Sequence, residues 1–462
     1  MKTILINPPF VKDFCRTQRW AARTRGRVLR APDWLANATA VLEQAQIPAR
    51  LYDFPALSWD KQQLSQLVAR EQPDVVVLDT TTPSIYSDLE CARLIKSQNN
   101  AKVILVGTHV SALPDETLRL ANGAVDVACI GEYDETVRDL ILADFAPTVP
   151  GTVSWSEGKA VHGPARCLID DLDRLPFPAW HHLDLFTYFD GGKLYPYLDI
   201  FSGRGCPNAC SFCLWPHVMH GTRYRFRAPV RVVDEIEHDL RLCPEVQRTG
   251  EFFFEDDAFL VRRDRAAEIC EEILRRNLRV TFSVNVRVDQ ADAEVFRLMK
   301  RAGCRELLVG FESGHQPLLN SMNKRTNLDQ AFSFMSLAHH AGLEVHGCFV
   351  IGLPGETLES GEKTIDFALQ LGLDTVQFSG AAPFPGTPFY DEVKKNGWLT
   401  AHDWHEWLRD GEQTALVSYP QLSASDIDTL VNRGLKRFYF RPSFMLRFLW
   451  NTRNFKDLKF LV

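Results

Sequence analysis

The sequence predicts an α/β protein in two patterned halves: a doubly wound domain of five β/α units, then an incomplete (β/α)6 barrel with a helical C-terminal tail. Three observations carry this. Short apolar runs alternate with amphipathic stretches from residue 1 to about 145. The alternation stops over residues 146–194, where Pro147, Pro150, Pro164, Pro176 and Pro178 fall, and it returns with a different spacing from 195 to about 395. Continuous apolar strands separated by helices are what a parallel sheet covered on both faces requires. At 462 residues the chain also exceeds what one core ordinarily holds.

In the first half, residues 1–145, the strand candidates are "TILI", "ARLYDF", "DVVVLD", "KVILVG" and "VDVACI". Between them lie helical patterns such as "DWLANATAVLEQA", "KQQLSQLVARE" and "SDLECARLIKS". Ligands of such folds bind beyond the carboxyl ends of the strands, so the loops "NPPF", "TTTPS", "GTHVSALP" and "GEYDE" are the candidate contacts. The first loop carries Arg16, Arg19, Arg23, Arg25, Arg27 and Arg30. Guanidinium groups pair bidentately with phosphate or carboxylate, so this loop reads either as a solvated flap or as a lid over an anionic substrate. Residues 146–194 read as a small hairpin, "SWSEGKAVHG", followed by the linker "DDLDRLPFPAW".

From 195 to 395 the strand candidates are "YLDIFSG", "EFFFED", "VTFSVNV", "ELLVGFE", "VHGCFVIG" and "TVQFSGA". Helices such as "RVVDEIEHDLRL" and "DAEVFRLMKRAG" separate them. In a β/α barrel the chemistry sits at the C-terminal ends of the strands. The tail, 396–462, ends with Arg433, Lys436, Arg437, Arg441, Arg447, Arg453, Lys456 and Lys459 against Asp457 alone, interleaved with eight aromatic residues. A helix docked on the body explains this composition; peripheral contact with an anionic membrane is the second reading.

Composition is globular, 45% hydrophobic and 24% charged, and a net charge of −7 gives no reason to expect a nucleic-acid partner. The apolar run in "MKTILINPPF" ends at Pro8 and Pro9, too early for a secretory signal. No stretch approaches the roughly 18 apolar residues of a membrane span. A reducing cytoplasm is therefore the expected location, and most of the eleven cysteines read as buried apolar residues.

Three cysteines break that pattern. "RGCPNACSFCLWPH" places Cys206, Cys210 and Cys213 directly after the first barrel strand. Thiolates at this density hold zinc or an iron–sulfur cluster. Structural zinc wants four ligands, for which His217 or His220 would have to serve. A [4Fe–4S] cluster on three thiolates leaves one iron open to a small molecule.

C-x3-C-x2-C with Phe212 before the last cysteine, at the end of the first strand of a β/α repeat, resembles the radical S-adenosylmethionine (SAM) superfamily. The resemblance implies that SAM chelates the open iron. Reductive cleavage then gives methionine and a 5′-deoxyadenosyl radical. It also implies SAM contacts at Phe212, at Glu255, Asp256 and Asp257 in "FFFEDDAF", at Arg287 in "SVNVRVD", at Glu312 in "GFESG", and at Gly352 and Gly355 in "GLPGET". Either Asp256 or Asp257 also suits a helix N-cap.

A five-unit α/β domain before such a core resembles the cobalamin-binding subclass, whose first domain is Rossmann-like and whose second is a partial TIM-like barrel. That likeness implies corrin contacts from Thr81, Ser84, Gly107, His109, Val110, Gly131 and Glu132. The sequence lacks Asp-x-His-x-x-Gly, so the corrin is expected without a protein histidine on its lower face. A vestigial B12 domain is the alternative. Several motifs, "PFPGTPFYD" and "NGWLT" among them, resemble a radical SAM group of hopanoid biosynthesis, which implies a small-molecule or lipid substrate. A flavodoxin or ferredoxin is the implied electron donor. Methyl transfer to carbon and radical rearrangement or cyclisation stay open as reactions, with a non-catalytic iron–sulfur redox protein as the contrasting class. A tRNA methylthiotransferase would need a second cysteine set, which the sequence does not supply. No catalytic residue beyond the cluster is singled out.

Overall fold

Alternate residues of the N-terminal strands enter two different cores, which is why those strands read as unbroken apolar runs. The computed structural model describes residues 1–17, 21, 28–408, 413–442 and 444–446. Arg19, Arg23, Arg25 and Arg27 of the first loop, and Arg447, Arg453, Lys456, Asp457 and Lys459 of the tail, lie outside the described residues. Strands β1 (Thr3–Asn7), β2 (Ala49–Asp53), β3 (Val75–Thr80), β4 (Lys102–Gly107) and β5 (Val127–Cys129) are parallel, in the order β2-β1-β3-β4-β5. Ile4, Ile6, Val76, Leu78 and Leu105 face helices Lys61–Glu71 and Ile85–Gln98. Leu5, Val77, Ile104 and Val106 face the opposite way, under helices Asp33–Gln44 and Asp134–Leu142, in a core continuous with that of the second half. The two halves thus share apolar packing.

The hairpin expected from "SWSEGKAVHG" forms as β6 (Thr152–Ser156) and β7 (Lys159–His162). It pairs antiparallel with β5 and continues the first sheet to seven strands. The chain order reverses at β1, so the crevice beyond the ends of β1 and β3 is the topological switch point.

The second half is a parallel sheet of six strands in sequence order. These are β8 (Tyr197–Ile200), β11 (Glu251–Phe254), β12 (Phe282–Val286), β13 (Cys304–Glu312), β14 (Glu344–Ile351) and β15 (Thr375–Gly380). A short ribbon, β9 (Gly203–Arg204) with β10 (Arg225–Phe226), follows β8 and encloses the cysteine loop. β15 and β8 are not paired, so the barrel is open, as an incomplete (β/α)6 repeat requires.

Helix Ala424–Tyr439, opened by a Ser423–Asp426 capping box, lies on β15. It buries Ile427, Leu430 and Phe438. Its outward Arg433 and Arg437 pair with Glu362 and Asp366. In the described part of the tail, docking accounts for Ile427, Leu430, Phe438, Arg433 and Arg437, while Phe440 and Leu446 stay exposed. No described helix is long and apolar enough to cross a membrane.

Candidate active site between the domains

The site begins where the chain leaves β8. Asp256, at the end of β11, accepts hydrogen bonds from the backbone N–H of Ser202 (2.7 Å) and Gly203 (3.0 Å) and from the Ser202 hydroxyl (2.6 Å). Tyr224 donates to it as well, at 3.3 Å. These bonds hold the turn that delivers the cysteine loop. Next comes Gly205 at φ +90°, where a Cβ would lie 2.3 Å from the Arg223 carbonyl oxygen, so only glycine fits ahead of Cys206.

Cys206, Cys210 and Cys213 all line a cavity of about 320 Å³ at the C-terminal ends of the barrel strands. Phe212, Glu255, Arg287 and Glu312 line it too. Asp256, Gly352 and Gly355 do not, whereas Asp257, the other aspartate of that run, does. The physical reason is alternation, because Asp256 turns back under β8 while Glu255 and Asp257 turn outward. Gly352 (φ +98°) instead donates its N–H to Glu356, and its carbonyl accepts from Tyr419 at 2.8 Å. The turn there is built to seat the C-terminal helix, since a Cβ on Gly352 would lie 2.8 Å from Ile427.

Three thiols on one cavity suit a cluster with one open iron. One tetrahedral zinc, with sulfur at about 2.3 Å, would draw its thiolates to within ~3.8 Å of each other. A larger iron–sulfur cube would not. The histidines that would complete a zinc site are engaged: Nε2 of His217 lies 3.2 Å from the Cys210 carbonyl, and Nδ1 of His220 accepts from Gly205 N–H at 2.9 Å.

Cations and carboxylates surround the thiols in pairs. Nη1 of Arg287 stands 4.0 Å from Cys210 Sγ, while its other donors reach Asp289 twice at 3.0 Å and the Lys324 carbonyl at 2.7 Å. The Lys324 ammonium donates to Glu312 at 2.6 Å. Burial works to lower the Lys324 pKa, yet Glu312 and Cys210 together hold it above the usual lysine range. Glu312 sits at φ +66° where β13 loses register with β14. A non-glycine residue there carries about 1 kcal/mol or more of strain, and that strained turn puts its carboxylate in the cavity. Burial pushes the Cys206 thiol up, and Asp257 adds to the shift. Sequence reasoning missed Lys324 and the cross-domain pair of Arg30 with Glu255 (3.2 Å). No local signal in "MNKRTN" distinguishes Lys324 from a surface lysine.

Of the six arginines in the first loop, the two that are described both turn inward. Arg30 also bonds Asp190 at 2.9 Å. Arg16 donates to Asn7 (2.9 Å), Pro8 O (2.7 Å) and Asp88 (2.8 Å) at the switch point. Thr81 and Gly107 line a narrow cleft there with Arg16, Trp34, Tyr133 and Trp215. Nε of Arg16 and the hydroxyl of Tyr133 are buried in it without a hydrogen-bond partner among the described residues. Orphaned donors at a switch point fit a ligand rich in polar side groups, as a corrin is.

The other suggested corrin contacts have partners within the protein. Ser84 bonds Thr81 and Asp88 at 2.9 and 2.6 Å. Val110 is in the core of the first domain. His109 is fully buried, with Nδ1 3.1 Å from Thr82 Oγ1 and its ring edge-on to Trp404. Burial pulls its pKa down to about 3. Its ring is held neutral by burial, and its Nε2 is buried without a hydrogen-bond partner among the described residues. Gly131 N–H bonds Ser111 at 3.0 Å, and Glu132 grips Arg225 of β10 with bonds of 2.6 and 2.8 Å. Asp134 likewise holds Arg204 of β9 at 2.8 and 3.0 Å. "GEYDE" is thus a clamp on the ribbon that frames the cysteines.

Comparison with known proteins finds family patterns in both halves of the chain. The radical SAM superfamily pattern matches residues 200–368, and the B12 binding domain pattern matches residues 31–141. The chain is 28% identical over 397 residues to an uncharacterized methyltransferase of Pyrococcus horikoshii, covering 85% of this chain and 84% of the relative. It is 27% identical over 446 residues to the anaerobic magnesium-protoporphyrin IX monomethyl ester cyclase of Cereibacter sphaeroides, covering 92% and 69%. The hopanoid likeness is a distant one: 26% identity to the C-3 methylase of Methylococcus capsulatus over 342 residues, 72% of this chain and 63% of that enzyme. Among solved structures, the radical SAM methyltransferase TsrM of Kitasatospora setae shares the fold, with a TM-score of 0.69 at 22% identity, covering 86% of this chain and 77% of TsrM.

Proposed function

The chain is a radical SAM enzyme of methyltransferase type with a B12-binding domain, and from that premise we propose that it methylates a carbon of a small molecule held between its two domains. When bound, the [4Fe–4S] cluster supplies the electron that cleaves SAM, and cobalamin supplies a carrier for the methyl group. The observation that carries the reading is the placement of all three cysteines on one cavity that also receives Arg30 from the first domain. Cys206, Cys210 and Cys213 hold the cluster. Arg287 and Lys324 offer positive charge to the SAM carboxylate. Glu255 and Asp257 offer negative charge to its ammonium, and Glu312 accepts from the ribose hydroxyls. Phe212 covers the loop side. Asp256 supports these groups from beneath without touching them.

The apolar walls of the cavity, among them Leu308, Phe349 and Phe384, exclude water from whatever reacts there. A lipid of hopanoid type is a finer reading that the basic, aromatic tail favours, together with peripheral membrane contact and a flavodoxin or ferredoxin as donor. The cyclase relative favours a second reaction, ring closure without methyl transfer. The two leave different products. Anaerobically reconstituted protein, given SAM, cobalamin, dithionite and cell extract as substrate source, is expected to form S-adenosylhomocysteine together with 5′-deoxyadenosine. Deoxyadenosine alone would favour cyclisation. Neither product, from protein that retains its iron, would overturn the proposal.

A further inference from the structure

Away from the cavity, two histidines and a glutamate converge where the first domain meets the connector. We propose that Glu43, His181 and His182 bind a divalent metal ion of the zinc class, with one coordination position open to solvent. Nε2 of His182 lies 2.8 Å, and Nε2 of His181 3.1 Å, from the same oxygen, Oε1 of Glu43. One donor atom from each residue lies within 4.8 Å of the other two. Imidazole nitrogen and carboxylate oxygen bind zinc at about 2.0–2.2 Å, so a small rotation of partly exposed side chains brings all three onto one ion.

The backbone prepares this arrangement. Consecutive residues of an extended chain point to opposite sides. Here the turn Trp180–His182 sets the two rings side by side, with centroids 4.4 Å apart. The turn is pinned by the buried Trp180 and by the Ala179 N–H bond to the Ala36 carbonyl (3.1 Å). Ala36 and Glu43 belong to the same helix, Asp33–Gln44. The ligands therefore stand on two elements already bonded to each other. A half-exposed carboxylate gains little from a second imidazole that water could replace, whereas two imidazoles and one carboxylate are a donor set that zinc accepts with a vacant corner. Beside it lies a second cavity of about 500 Å³, lined by both histidines with Arg50, Asp53, Trp59 and Tyr188. It gives that corner room for water or a small anion. No residue of the cysteine cavity takes part, so the two metal chemistries are separable.

Cluster-loaded full-length protein is treated with EDTA without oxygen, checked for retained iron, and dialysed against zinc chloride. We expect one zinc per chain, an X-ray absorption edge with nitrogen and oxygen neighbours only, and a zinc-dependent rise in Tm. Glu43→Gln and the pair His181→Ala with His182→Ala should each weaken binding at least about tenfold and leave iron content unchanged. A zinc edge showing sulfur, a stoichiometry that these variants do not alter, or no zinc retained at micromolar metal would each overturn the proposal.

Discussion

Lys324 and Glu312 are 5% and 7% exposed, and each is tolerable in the interior only because of the other. Breaking a buried ion pair costs about 3–5 kcal/mol, since the remaining charge stays desolvated. Lys324→Met should destabilise the folded protein by that order in denaturant unfolding, and adding Glu312→Gln should recover most of the loss. SAM affinity should stay impaired in the double variant, which separates binding from folding. His109 makes a different prediction. Its folded pKa of about 3 lies below the unfolded value of about 6.5, so the unfolded chain takes up a proton first as pH falls. The stability linked to it is complete above about pH 6.5 and is lost toward pH 3. Between pH 6.5 and 4.5, His109→Asn should lose roughly 2–3 kcal/mol less than the parent protein. Equal losses in the two proteins would show that the ring titrates freely.

At the scale of elements, the C-terminal helix closes the side of the barrel at β15. Each of Ile427, Leu430 and Phe438 contributes about 1.5–3 kcal/mol by leaving water. The helix comes this close because Gly434 lies against the Phe378 ring, where a Cβ would be 2.9 Å away. Gly434→Leu should push the helix off β15, lower stability by about 1–3 kcal/mol and raise proteolysis within residues 424–439. Unchanged proteolysis would mean that the strand side chains yield instead. The strands and helices themselves were legible, because period-2 and period-3.6 apolar patterns are local. What each loop does was not. "GEYDE" and "GLPGET" are read from sequence as ligand loops, yet Glu132 and Asp134 clamp β9 and β10 while Gly352 seats Ile427.

For the whole molecule, those clamps tie the cysteine loop to the first domain. Arg204 and Asp134 are both nearly excluded from water and joined by two bonds. Asp134→Asn should loosen the interface, seen as faster hydrogen exchange in both Gly203–Arg204 and Asp134–Leu142, and the cluster should be lost sooner in air. Local exchange at one partner only would mean that the domains are held elsewhere.

The sequence by itself determined the two-domain α/β order and the spacing of the three cysteines after the first barrel strand, since both depend on residue types a few positions apart along the chain. Only the tertiary structure decided that Lys324 meets Glu312, that Arg30 crosses to Glu255, and that Asp256 faces away from the cavity. Those outcomes depend on which side chains of distant strands and loops share a desolvated space, and chain spacing carries no record of that.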